Sequence, residues 1–303
     1  MKRRNFIKNT VTAVPALGFK SETVESVSHK TSLEVLVMGT SWGFEGGNDL
    51  LFSKLKKEGF DGVELWWPAK KEEQKSLFEL LKKHNLKIGF LVSGSGQTFD
   101  AHLASFKNNL DDILANWPEK PEYINCHSGK DYFSQDQNSQ IIAYTIDKTQ
   151  QSGIEILHET HRGRMCFAAH ITRQFLEKHP KMNLTLDISH WCNVHESLLE
   201  DQSETLDLAF SRVKHIHARV GHQEGPQVSD PRAPEWATAM ERHLTWWDSV
   251  IKHREKSGDK RITFLTEFGP PNYMPTLPYT KQPVANQWEI NVYMLKLLKE
   301  RYA

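Results

Sequence analysis

Residues 154–219 contain three runs of one make: Ile154-Glu155-Ile156-Leu157-His158-Glu159, Leu184-Thr185-Leu186-Asp187 and Lys214-His215-Ile216-His217-Ala218-Arg219. Each is a short, largely aliphatic segment that closes on a polar side chain. Helical patterns lie between them, over Met165–Lys178 and Ser197–Arg212. Strand, helix, strand is the repeating unit of a parallel sheet. The alternation continues outward in both directions. Upstream, strands are predicted at Leu33–Met38, Gly62–Trp67, Leu86–Val92 and Tyr123–His127, and downstream at Ile262–Glu267. Helices are predicted at Asn48–Glu58, Lys71–Asn85 and Asn138–Gln151, around Leu103, Phe106 and Leu110, around Trp246 and Trp247, and at Ala285–Tyr302. Eight strand–helix units share residues 31–303, roughly 34 residues each, which is the size of such a repeat. Eight units argue for closure, so the predicted fold is α/β, a single (β/α)8 TIM barrel. A doubly wound sheet would carry a Gly-rich loop after an early strand. Met38-Gly39-Thr40-Ser41-Trp42-Gly43 lacks that spacing.

Composition narrows the function. Lys+Arg and Asp+Glu are 38 each, so the formal charge is zero, which disfavours a nucleic-acid partner. The longest strongly apolar run, Val11–Phe19, contains Pro15 and is too short to span a bilayer. Three cysteines without a Cys-x-x-Cys pair exclude a zinc ribbon or a disulfide scaffold. A homo-oligomer is compatible with this composition. Residues 1–30 read as a leader, with basic Lys2-Arg3-Arg4, then an apolar stretch, then a polar one. Arg3-Arg4-Asn5-Phe6-Ile7-Lys8 resembles a twin-arginine export motif, which implies a periplasmic location; without export the location would be cytoplasmic.

In such barrels chemistry sits at the C-terminal ends of the strands. Glu159, Asp187, His217 and Glu267 end four consecutive strands. Side chains alternate along a strand, so all four can face the barrel mouth. Clustered buried carboxylates repel one another, and a divalent cation removes that cost. Three carboxylates and an imidazole suit one ion, Mn²⁺ or Mg²⁺ first, with Co²⁺ or Zn²⁺ as alternatives. Glu64 and Trp66 end strand 2, and Asn125 and His127 end strand 4. Glu64 is read as substrate-facing. Trp42, Trp66, Trp67 and Trp191 are either sugar platforms or packing. His102, His170, His179, His243 and His253 fall on helices and are read as solvated or capping.

This ordered set resembles the xylose-isomerase-like TIM-barrel superfamily, the sugar phosphate isomerase/epimerase group, over roughly residues 32–300. The resemblance implies that Glu159, Asp187, His217 and Glu267 hold the metal and that His190 binds substrate. It also implies a carbohydrate substrate. Glu159 and Glu267 would be the acid/base pair that moves a proton through a metal-stabilised enediolate. Two family positions depart. The second glutamate of the ketose 3-epimerases falls at Met165, and their arginine after the metal histidine falls at Gln223. His127, His161 and Arg219 are therefore the expected substrate contacts, together with Arg232 on a long loop. The departures and an exported location favour an alternative, a lyase or hydratase acting on a keto-sugar or 3-keto-glycoside. A non-catalytic sugar-binding barrel is a third reading. An endonuclease IV-like centre is a fourth, but the Asp-x-His it needs after strand 7 is Asp230-Pro231-Arg232 here.

Overall fold

The computed structural model describes residues 29–302. The export motif and most of the leader lie outside the described residues. The strands are β1 (Glu34–Thr40), β2 (Gly62–Trp66), β3 (Lys87–Ser93), β4 (Tyr123–His127), β5 (Ile156–Glu159), β6 (Asn183–Leu186), β7 (Val213–His217) and β8 (Arg261–Leu265). They form one closed parallel barrel in chain order, with β8 back on β1 in the register Val37↔Phe264. The helices are α1 (Asn48–Glu58), α2 (Lys71–His84), α3 (Phe99–Asn116), α4 (Gln135–Ser152), α5 (Ala169–Lys178), α6 (Ile188–Val194), α7 (Ser203–Phe210), α8 (Ala237–Lys256) and α9 (Gln287–Tyr302). None is long and apolar enough to cross a membrane.

The two-residue period of the strands divides the core. Ile124, Cys126, Ile156, Leu184, Leu186, Ile216 and Phe264 belong to the large apolar layer between barrel and helices. Met38, Tyr123, Leu157 and Leu265 form a small apolar cluster of their own. Continuing that inward parity toward the mouth gives Asn125 and His127 after Tyr123, Glu159 after Leu157, and Glu267 after Leu265. The same alternation puts His158 on the outer face. There Ser128 Oγ lies 2.9 Å from its Nδ1 and Thr145 Oγ1 2.7 Å from its Nε2.

One helix differs from the sequence reading. The segment after β6 does not wait until Ser197; α6 starts directly behind Asp187. Its carboxylate accepts the Ser189 N–H at 3.2 Å as an N-cap, which satisfies an orphan donor of the first turn. His190 is thereby fixed one turn above Asp187. Two helical histidines also differ. His102 and His243 are buried rather than solvated. Their Nε2 atoms accept the N–H groups of Gly129 and Gly221 at 3.2 Å each, pinning the loops after β4 and β7.

His158 predicts a pH effect. Burial pushes it down from 6.5 to about 3. The unfolded chain therefore takes up a proton that the folded chain refuses. Its contribution is complete above pH 6.5 and is lost as pH falls from there toward 3, by about 1.4 kcal/mol per pH unit. Urea titrations between pH 7 and pH 5 should show a smaller pH slope for His158→Gln than for the parent. An unchanged slope would count against this assignment.

Candidate metal centre

Glu159, Asp187, His217 and Glu267 converge at the bottom of the barrel mouth. His217 Nδ1 lies 2.9 Å from Glu267 Oε2 and 3.7 Å from Glu159 Oε1. All three atoms are buried and lack an aligned hydrogen-bond partner. Glu159, Asp187 and His217 present ligand atoms within 4.8 Å of one another. Atoms that share a cation at about 2.1 Å each stand up to about 4 Å apart and need not be aligned for a proton. Two carboxylates and one imidazole, those of Glu159, Asp187 and His217, fit a divalent ion on this geometry; Glu267 stands against His217 and belongs to none of the converging ligand sets among the described residues.

Neighbouring side chains hold the four in place. Asn125 Nδ2 donates to Glu159 Oε2 at 2.7 Å, and His127 Nε2 stands 2.6 Å from the same oxygen. Asp187 accepts from the Ser189 hydroxyl and from Arg219 Nη2. Arg219 is fully buried and also reaches His190 Nε2 at 2.9 Å and Glu267 Oε2 at 3.5 Å. Burial would push the Glu159 carboxyl up, but His127 and His217 outweigh it and hold it well below the usual carboxylate range. Burial raises Asp187 against the pull of Arg219, and the carboxylates of Glu267 and Glu159 add to the rise. Burial opposes charge on His217, yet Glu267, Glu159 and Glu64 together hold its imidazole protonated well above its ordinary value. His161 is pushed down to about 4 by burial. His190 is lowered as well, first by burial and then by the charges of His161 and Arg219.

Above this floor is a cavity of about 300 Å³. Glu64, Trp66, His127, His161, Arg219 and Glu267 all line it. His127 and His161 form one wall, with ring centres 5.2 Å apart; His190, expected to bind substrate, is fully buried 3.9 Å behind the His161 ring and does not line the cavity. Two of the four strand-end indoles, Trp42 and Trp66, line the cavity. The other two pack: Trp67 donates to Asp112 at 2.6 Å, and Trp191 donates to the Cys166 carbonyl at 3.0 Å. Arg232 stands apart. It is exposed and fork-bonded to Asp230 at 2.8 and 2.6 Å. A larger cleft of about 570 Å³ between α1 and α9 meets the mouth at Thr40 and Trp42 and contains none of the four converging residues.

Glu64 lines the cavity, as the sequence reading expects, from a buried position. It is buried between two histidines, with Oε1 3.4 Å from His217 Nε2 and Oε2 3.4 Å from His215 Nε2. These three form another set of converging ligand atoms, as do Glu159, His161 and His190. Tyr273 is a site residue that the strand-end reading misses. It comes from the loop after β8, and its ring lies 4.7 Å from the Arg219 guanidinium and 5.1 Å from that of Arg162. The only sequence signal for it is the Gly269-Pro270-Pro271 turn that breaks the chain just before.

No family model matches this chain, and no curated protein matches it. Solved structures do. A probable 3-DHS dehydratase involved in petrobactin synthesis from Bacillus anthracis is 16% identical, with a TM-score of 0.55, over 88% of this chain and 100% of that one. A 3-keto-D-glucoside 4-epimerase from E. coli is 12% identical, with a TM-score of 0.56, over 88% and 99%. An IolI protein with a bound zinc atom is 13% identical, with a TM-score of 0.59, over 88% and 99%. At such identities the likeness establishes the fold alone, a (β/α)8 barrel.

Proposed function

We propose that this chain is a divalent-metal-dependent isomerase or epimerase of a sugar or sugar derivative. The observation that carries the reading is the convergence of ligand atoms of Glu159, Asp187 and His217 within 4.8 Å of one another, with Glu267 against His217. Glu159, Asp187, His217 and Glu267 would hold the ion. When bound, it supplies Lewis acidity that polarises a substrate carbonyl and acidifies the neighbouring C–H. The protein groups do the rest. Glu159, held ionised by His127 and His217 at the floor, and Glu267, which lines the cavity, are the acid/base pair. One takes the proton and the other returns it. His161 and Arg219 offer hydrogen bonds to substrate oxygens, and Trp42 and Trp66 offer apolar faces. A volume of about 300 Å³ is at the small end for ligand sites and suits a single sugar ring.

A lyase or hydratase acting on a keto-sugar or 3-keto-glycoside is the second reading. Met165 is buried beside Gly129, and Gln223 faces solvent. Neither of the two positions that departed from the ketose epimerases lines the cavity. The names of two similar structures, a dehydratase and a 3-keto-glucoside epimerase, fit either chemistry. The test is incubation with Mn²⁺ and free or 3-keto sugars in D2O, read by NMR. Deuterium at the carbon beside the carbonyl with a changed epimer ratio supports the first reading. An unsaturated product with loss of the aglycone supports the second. Saturable binding with neither would leave a sugar-binding barrel.

A further inference from the structure

The larger cleft beside the mouth has no part in the reading above. It measures about 570 Å³ and lies between α1 and α9. Thr40 and Trp42 line both it and the mouth cavity, so one indole is their shared wall. Two hydrogen bonds fix that wall: the Trp42 N–H donates to Thr40 Oγ1 at 3.1 Å, and Gln287 Nε2 donates to the Trp42 carbonyl at 2.7 Å. The strand period sorts side chains between the two spaces. Leu265 and Glu267 face into the barrel. Thr266 lies between them, paired to β1 through its N–H to the Met38 carbonyl at 3.1 Å, and lines the cleft instead.

The lining says what would fit. Trp42, Phe44 and Trp288 supply aromatic faces. The charged lining side chains are one of each sign, Glu45 and Lys54, and the Lys54 ammonium lies 4.1 Å from the Trp288 ring centre. Thr266 Oγ1 is buried without a hydrogen-bond partner, a state that costs stability unless a ligand group pairs it. A phosphate or nucleotide would call for an excess of positive charge. A plain aryl group would leave the Thr266 hydroxyl unpaired. A ring that carries hydroxyls answers both: its C–H face can lie on an indole and one hydroxyl can pair with Thr266.

We propose that the α1–α9 cleft binds a second sugar ring. The substrate is then a disaccharide: its reacting ring sits in the mouth and its other ring in the cleft, with the link passing Trp42. The inference rests on the reading of the mouth as a sugar site, and it narrows the substrate class from sugars in general to two-ring glycosides. The mouth alone has room for one ring, and the cleft supplies the room for the other.

The test uses the full chain supplied with Mn²⁺. It is titrated by calorimetry with glucose, galactose and xylose, and with disaccharides built from them. The best disaccharide should bind about 10-fold or more tightly than either component sugar, as expected for burying one further ring face. Thr266→Val keeps the side-chain shape and removes only the hydroxyl. It should lower the ratio of disaccharide to monosaccharide affinity about 2- to 10-fold, and Trp288→Ala, which removes an aromatic face, should lower the same ratio. In the parent, Mn²⁺ should relax the protons of one ring of the bound disaccharide strongly and those of the other weakly. Disaccharides bound no more tightly than their component sugars overturn the proposal and leave the sugar reading standing. An affinity ratio that neither variant changes does the same, as does equal relaxation of both rings. A parent protein that binds no sugar of either kind overturns both.

Discussion

Glu159→Gln is expected to abolish exchange of the substrate C–H with solvent. Glu159 combines two properties that are rarely found together in a buried carboxylate. Asn125 and His127 fix its Oε2 at 2.7 and 2.6 Å, and its Oε1 is left without a partner. One oxygen anchors the group while the other lies 3.7 Å from His217 Nδ1 without a hydrogen bond. Glutamine keeps the shape but cannot take up a proton as a base. Loss of a positioned general base costs about 10²- to 10⁴-fold, and the weakened ligand set adds to this. The measurement is deuterium incorporation at saturating Mn²⁺, with bound metal confirmed in the same sample. Exchange in Glu159→Gln at the parent rate would sink the two-glutamate mechanism.

Asp187→Ala is expected to lose the metal. The parent should carry one divalent ion per chain by elemental analysis after Mn²⁺ loading and desalting, and the variant close to none. The same change removes the cap of α6, worth about 1 kcal/mol. It also leaves the buried Arg219 without its main counter-ion, a kind of loss that costs about 3–5 kcal/mol. Asp187→Asn is therefore the companion variant, because the amide retains an oxygen to cap Ser189. Both should lack metal. Full metal content in a folded Asp187→Asn would remove Asp187 from the ligand set. Three ions per parent chain would point instead to a nuclease-like trinuclear centre, which the pairing of Asp230 with Arg232 makes hard to build.

The legible part of this protein follows from local rules. A period of two along a short strand and a fixed strand–helix repeat are properties of neighbouring residues. They suffice to give eight units, closure, and the parity that brings Glu159, Asp187, His217 and Glu267 to one mouth. The same rule accounts for His158, one residue before Glu159 and on the opposite face.

Other features were not legible, because they depend on which strands meet across the barrel. Nothing near residue 64 in the chain says that its carboxylate will lie between two histidines of β7. Nothing near residue 219 says that its guanidinium will close on Asp187, or that Tyr273 will cover it. His102 is in step with Phe106 and Leu110, and His243 with Met240 and Trp247, on the buried faces of their helices, but which loop N–H each ring accepts is set by the tertiary fold. Arg232 sits on the expected long loop, but an aspartate two residues away binds it first. The sequence alone determined the barrel and the chemical character of its mouth, because both are written in periodicity and residue type. Which groups anchor, which stay free and which edge of His217 faces the centre were decided by the tertiary structure, because hydrogen-bond partners and burial are set by contacts between residues far apart in the chain.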